Sequence, residues 1–123
     1  MRTITVAVGL MLIVPGLAQA QDAEADACHQ KQTTIDITQC LVTLTAKWDT
    51  RLNAAYKAAM NASDSEARKA ALVRAEVAWI KYRDENCGWY GARQGTIRQI
   101  FAADCLLTMT KARAAELEEA IRP

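Results

Sequence analysis

Two hydrophobic regimes follow one another along the chain. From Ile4 to Val14 the residues are almost continuously apolar, with Arg2 before the run and Pro15-Gly16 after it. From Thr38 onward, apolar residues recur every three or four positions instead. The continuous run is too short for a bilayer-spanning helix, which needs about 20 apolar residues. Ala18-Gln19-Ala20 follows it as a small-x-small cleavage site. A positive start, a short apolar run and small residues at the end predict a secretory signal peptide over 1–20, cleaved after Ala20.

The periodic part predicts three helices. Between Thr38 and Met60, Leu41, Leu44, Trp48, Leu52, Ala55, Tyr56 and Ala59 fall on one helical face. Lys47, Asp49, Arg51 and Lys57 lie off it, and Asp36 or Thr38 is the expected cap. Ser63 and Glu66 have capping-box spacing and predict the next start. That second helix carries Leu72, Ala75, Trp79 and Tyr82 as its stripe, flanked by Val73, Val77 and Ile80. It is expected to end at Cys87-Gly88, where glycine accepts a left-handed conformation. Gly88–Gly95 reads as the one loop. Thr96 and Gln99 suggest another capping box, before a third helix with Ile97, Ile100, Phe101, Leu106, Met109, Leu117 and Ile121 inward. Residues 21–37 form an N-terminal segment in which 28–37 is too short and polar for more than one turn. The expected fold is all-α: a small antiparallel three-helix bundle over 38–123, stapled by disulfides.

Composition sharpens this picture. After residue 20, glycine occurs only at Gly88, Gly91 and Gly95, and proline only at Pro123. Breakers confined to one stretch fit helices with few loops. Loss of Arg2 leaves basic and acidic residues equal in number. That balance argues against a nucleic-acid partner, which selects for a basic excess. No apolar stretch after the leader is long enough to span a membrane.

Cys28, Cys40, Cys87 and Cys105 form an even set in a small exported chain, which predicts disulfides. No CxxC spacing supports a metal site, and no cofactor motif is present. The helix layout gathers the cysteines at one end, so three connectivities stay open. Cys28–Cys40 and Cys87–Cys105 are favoured. Cys40–Cys87 is the competing staple. Each favoured loop contributes about 3 kcal/mol in the chain-entropy account.

At this point the residues resemble a known family. Cys28-x11-Cys40, then Asp49-x-x-Leu52-Asn53-x-x-Tyr56, is similar to the opening of the LprI-like lysozyme inhibitors. Leu72-x6-Trp79-Ile80-x-Tyr82-Arg83-Asp84-x-x-Cys87 and Cys105-x4-Thr110-x-x-Arg113-x3-Leu117 resemble its centre and close. The resemblance covers residues 28 to about 117. Departures are Glu76, where glutamine is common, and Gly95-Thr96 in place of a Gly-Gly-Ser-like turn. The lipid anchor frequent in the family has no cysteine here at the cleavage site. The resemblance implies an exported, periplasmic or secreted, helical domain that binds and inhibits lysozyme.

The motif residues Asp49, Asn53, Tyr56, Trp79, Tyr82, Arg83, Asp84 and Arg113 are read as architecture first. Trp79 and Tyr82 share a face with Leu72 and Ala75 and are expected in the core. Arg83 and Arg113 are expected to bridge helices through Asp49, Glu76 or Asp84. The expected binding residues are Trp89, Tyr90, Arg93 and Arg98, because aromatics and arginine anchor interfaces. Catalysis finds no support. His29 is the only histidine and has no carboxylate partner in sequence. No cysteine is expected to be free, and Glu118-Glu119 reads as a solvated face. The leading reading is therefore a protein that blocks a lysozyme-type muramidase. The alternative is a non-inhibitory envelope binding or assembly module with a protein or peptidoglycan partner.

Overall fold

In the computed structural model the described residues are 17–122, with side chains described from residue 23. The predicted leader lies outside them except for residues 17–20. Four helices follow in order: α1 (Leu17–His29), α2 (Thr34–Ala62), α3 (Glu66–Gly91) and α4 (Arg98–Ala120). α1 packs against α2, and α4 packs against both α2 and α3. Neighbours alternate in direction, so the architecture is the expected antiparallel bundle with one helix more. The extra helix, α1, covers the first half of the expected N-terminal segment and the four residues before it. Its periodicity is weak, and it is held by the Cys28–Cys40 disulfide and the Lys47–Glu24 ion pair rather than by a wide apolar stripe.

The helix starts differ from expectation by a few residues. Thr33 caps α2: its Oγ1 accepts from the Asp36 backbone N–H and donates to the Asp36 carboxylate. Ser65, not Ser63, caps α3 by accepting from the Arg68 N–H. Ser63 instead donates to the Ala59 carbonyl and closes α2. Thr96 forms no capping box. α4 starts at Ile97 without a side-chain cap, through tight turns such as Ile100 N–H to Ile97 O. The second helix of the expectation ended too early: α3 continues through Gly88 to Gly91, where Tyr90 gains cover beside α4. The loop is therefore residues 92–97. Among described residues only Gly95 has a positive φ, +83°, where a side chain would strain the backbone.

The α2 stripe is buried as its period dictates: Leu41, Leu44, Trp48, Leu52, Ala55 and Ala59. α4 answers with Ala103, Leu107, Ala114 and Leu117. This corrects the expected α4 face. Ile97 is exposed, and Ile100, Phe101, Leu106 and Met109 are only half-buried. α4 lies between two helices and uses two faces, so no single stripe describes it. α3 differs most. Only Cys87 is fully buried on it; Leu72 and Trp79 are half-buried against the core, and Tyr82 is 62% exposed. Tyr82 belongs to the solvent face, since the side of α3 that meets α4 carries Leu72, Glu76, Trp79, Asn86 and Cys87.

Ties between helices set the register. The second disulfide, Cys87–Cys105, joins α3 to α4. Below it, the buried Arg113 donates from Nε and Nη2 to Glu76 at 3.0 and 2.8 Å, and from Nη1 to Glu116 at 2.9 Å. Burial works against the Arg113 charge, but the Glu116 and Glu76 hydrogen bonds outweigh it and hold its pKa above the ordinary value. Removing one partner of such a pair strands a charge, so its main role is register. Arg51 of α2 grips Glu118 of α4 in a two-pronged pair at 2.6 and 2.8 Å. Glu118 is thus a cross-helix partner, which corrects the solvated-face reading.

The Arg51 hydrogen bond lowers the Glu118 pKa from its ordinary value, against a smaller opposing effect of burial. A depressed carboxylate contributes stability above its unfolded pKa and loses it as pH falls through the folded one. Glu118→Gln should therefore lower Tm at neutral pH and flatten the acid side of the stability profile. Thermal melts of parent and variant between pH 7 and 3 check this. Parallel curves would contradict it. The pair is partly exposed, so the expected effect is small, about 1 kcal/mol or less.

Candidate functional sites

A groove runs between α2 and α3. α4 separates these two helices, and they do not pack closely on one another. α2 contributes Asp49, Leu52, Asn53 and Tyr56 to its wall. α3 contributes Val73, Glu76, Val77, Trp79, Ile80 and Arg83. Its volume is about 450 Å³. On α2, positions 49, 53 and 56 lie beside the buried stripe, so they form the shoulder of the helix rather than its back. Val73, Val77 and Ile80 do the same on α3, and each stays at least 41% exposed. Sequence reading took these three for flanks of a core stripe and missed their place in a groove. The signal available was their i, i+4, i+7 spacing off the Trp79 face.

The groove's charges are mostly compensated. Glu76 is held by Arg113. Arg83 pairs with Asp84, the next residue, and its guanidinium lies 5.0 Å from the Trp79 ring centroid. Among the described residues neither Arg83 nor Asp84 bridges two helices; of the expected bridges, Arg113–Glu76 forms. Asp49 receives only a long 3.4 Å hydrogen bond from the Asn53 amide. Seven residues on which the resemblance rested, Asp49, Leu52, Asn53, Tyr56, Trp79, Ile80 and Arg83, thus meet in one place.

The second site is the α3–α4 turn. Trp89 is 65% exposed and meets Tyr90 edge-on, with ring centroids 4.9 Å apart. Arg93 lays its guanidinium 4.4 Å from the Phe101 centroid and 5.9 Å from that of Tyr90. Such stacking holds a long side chain without consuming its N–H groups. Trp89 and Tyr90 sit on the last turn of α3, so the first half of the expected glycine-rich loop is helix. Arg98 opens α4, exposed, and is not stacked with the other three. Phe101 is the residue missed here. It organises Arg93 from one turn into α4, and its helical position had suggested only core.

Two other features carry no site. His29 Nε2 meets Asp104 Oδ1 at 2.9 Å, so the histidine does have a carboxylate partner, supplied by α4 from 75 positions away. The pair ties α1 to α4, and every cysteine is in a disulfide, so no thiol nucleophile accompanies it. A larger hollow of about 840 Å³ lies outside Cys28–Cys40 between α1 and α2. It is wide open, and Lys47 and Glu24 on its wall pair with each other. Among the described residues no cluster of three or more His, Cys, Asp or Glu could hold a metal ion. Nor is any helix there long and apolar enough to cross a membrane.

Residues 25–117 match the family described as lysozyme inhibitor LprI, from the second half of α1 almost to the end of α4. The chain belongs to the LprI lysozyme inhibitor family. An uncharacterized protein of Rhizobium meliloti (strain 1021) is 34% identical, with 97% of this chain and 95% of that protein aligned. No solved structure matches. The matched span takes in both disulfides, the groove and the turn. The LprI family is one of inhibitors, and the two disulfides fit an oxidising compartment.

Proposed function

We propose that the protein is exported and blocks a lysozyme-type muramidase, using the α3–α4 turn as its inhibitory segment. The observation that carries this reading is the exposed Trp89 beside an Arg93 already stacked on Phe101. Arg98 stands near by on the first turn of α4, exposed. Lysozyme-type enzymes flank the scissile bond with two carboxylates in an open cleft. A guanidinium held over a ring presents its donors to such carboxylates with little further ordering cost. Cys87–Cys105 lies at the base of the segment and holds it in place. Inhibition needs no catalytic group on the inhibitor, and the reading assigns none and no cofactor.

The test is residual lysozyme activity against protein concentration. Arg93→Ala with Arg98→Ala should weaken inhibition about tenfold or more, as loss of interface anchors does, with Tm nearly unchanged. Added salt should weaken the parent as well, through screening of exposed charges. A folded parent that inhibits no lysozyme defeats the reading. A folded double variant that inhibits like the parent removes the turn from the interface.

A further inference from the structure

We propose that the α2–α3 groove is a binding site for a short, uncharged N-acetylated oligosaccharide, separate from the α3–α4 turn. The argument starts from hydrogen-bonding capacity that the protein leaves unused. The Tyr56 hydroxyl and Trp79 Nε1–H have no protein partner among the described residues. Asp49 keeps most of its acceptor capacity, because Asn53 reaches it only at 3.4 Å. Donors and acceptors thus stand on both walls, Asp49, Asn53 and Tyr56 on α2 and Trp79 on α3, with Asp49, Tyr56 and Trp79 half-buried. Sugar hydroxyls, which donate and accept at once, match that mixture.

Charge narrows the ligand further. With Glu76 neutralised by Arg113 and Arg83 by Asp84, Asp49 is the one charge of the lining without an ion-pair partner among the described residues. A phosphate or another acidic ligand would face that carboxylate and find no free cation on the wall. The α3 wall adds open apolar side chains: Val73, Val77 and Ile80, exposed by 42%, 64% and 41%. β-Branched side chains left open in this way suit the C–H face of a pyranose ring and the methyl of an acetamido group. The Arg83 guanidinium, 5.0 Å from the Trp79 ring centroid, holds the indole in the groove wall. A volume of about 450 Å³ falls within the range of small-ligand sites, about 300–1,000 Å³.

The experiment is calorimetric titration of the exported protein, in the absence of any lysozyme, with tri-N-acetylchitotriose. Saturable one-to-one binding is expected, in roughly the millimolar range or tighter. Asp49→Ala with Asn53→Ala should weaken it about tenfold, and Tyr56→Phe, which removes only a hydroxyl, severalfold. Both should melt within a few degrees of the parent. Cellotriose, which lacks the acetamido groups, should bind about tenfold more weakly. Absence of saturation with the folded parent overturns the proposal, as does equal binding by folded Tyr56→Phe and Asp49/Asn53 variants. Equal affinity for cellotriose overturns the N-acetyl assignment. Sedimentation showing that a second copy covers the groove in solution overturns it too. Because lysozyme is absent, the result is independent of whether the turn inhibits.

Discussion

Trp48→Ala is expected to abolish cooperative thermal unfolding near the parent's Tm, at a cost of about 3–5 kcal/mol. Trp48 sits at the middle of the α2 stripe, 5% exposed, and joins the α2–α4 interface. Arg51 covers its ring at 4.6 Å, and the Lys111 ammonium of α4 lies 5.6 Å from the same centroid. Truncation therefore opens a cavity and removes the surface on which the Arg51–Glu118 pair rests. For a domain of this size the loss is a large share of total stability. Its Nε1–H is buried and donates to no acceptor among the described residues. Trp48→Phe should accordingly cost far less, since it shrinks the ring without breaking a protein hydrogen bond. Trp79→Ala should also cost less than Trp48→Ala, because Trp79 is half-buried and faces the groove. Urea denaturation of the three variants measures the order. A Trp48→Ala protein within 1 kcal/mol of the parent would show that α2 and α4 are held elsewhere.

Cys87→Ser with Cys105→Ser carries the second large effect. The disulfide closes a loop with a sequence separation of 18. Its removal should cost about 3 kcal/mol in the chain-entropy account. That corresponds to a fall in Tm on the order of 10–20 °C for a domain of about 100 residues. The loss is expected to be local as well as global. The bridge and the Arg113–Glu76 pair are two of the main ties of α3 to α4, and the last turn of α3 with Trp89 and Tyr90 lies just beyond the bridge. Hydrogen exchange should therefore quicken first in residues 88–97, and inhibition should fall at temperatures where the rest of the bundle stays folded. Uniform exchange across α3, with inhibition unaltered below Tm, would remove the bridge from any role in holding the turn.

The parts of the protein that were legible in sequence are those governed by one local pattern. α2 has a single broad apolar face, so the period alone named its six buried residues, together with Tyr56, which is half-buried. An even cysteine set with breakers confined to one stretch was enough for a disulfide-stapled helical bundle. Arg93 and Trp89 stood out by composition. The sequence did not reveal α1, whose place depends on a disulfide and a cross-helix ion pair more than on periodicity. It did not orient α4, because a helix between two others has two inward faces and small residues such as Ala103 and Ala114 fill one of them. It also placed Tyr82 inside and left Val73, Val77 and Ile80 as mere flanks of a core stripe.

The groove depends on tertiary structure for the same reason. Cys87–Cys105 and Arg113–Glu76 tie α3 to α4, while Arg51–Glu118 ties α2 to α4. No comparable tie joins α2 to α3 among the described residues. The two helices therefore stand apart across α4, and Asp49, Asn53 and Tyr56 face Val73, Val77 and Trp79 over open space. Residue spacing along one helix decides which side chains share a face. The distance between two helices is decided by what each of them is fastened to, and here both are fastened to a third.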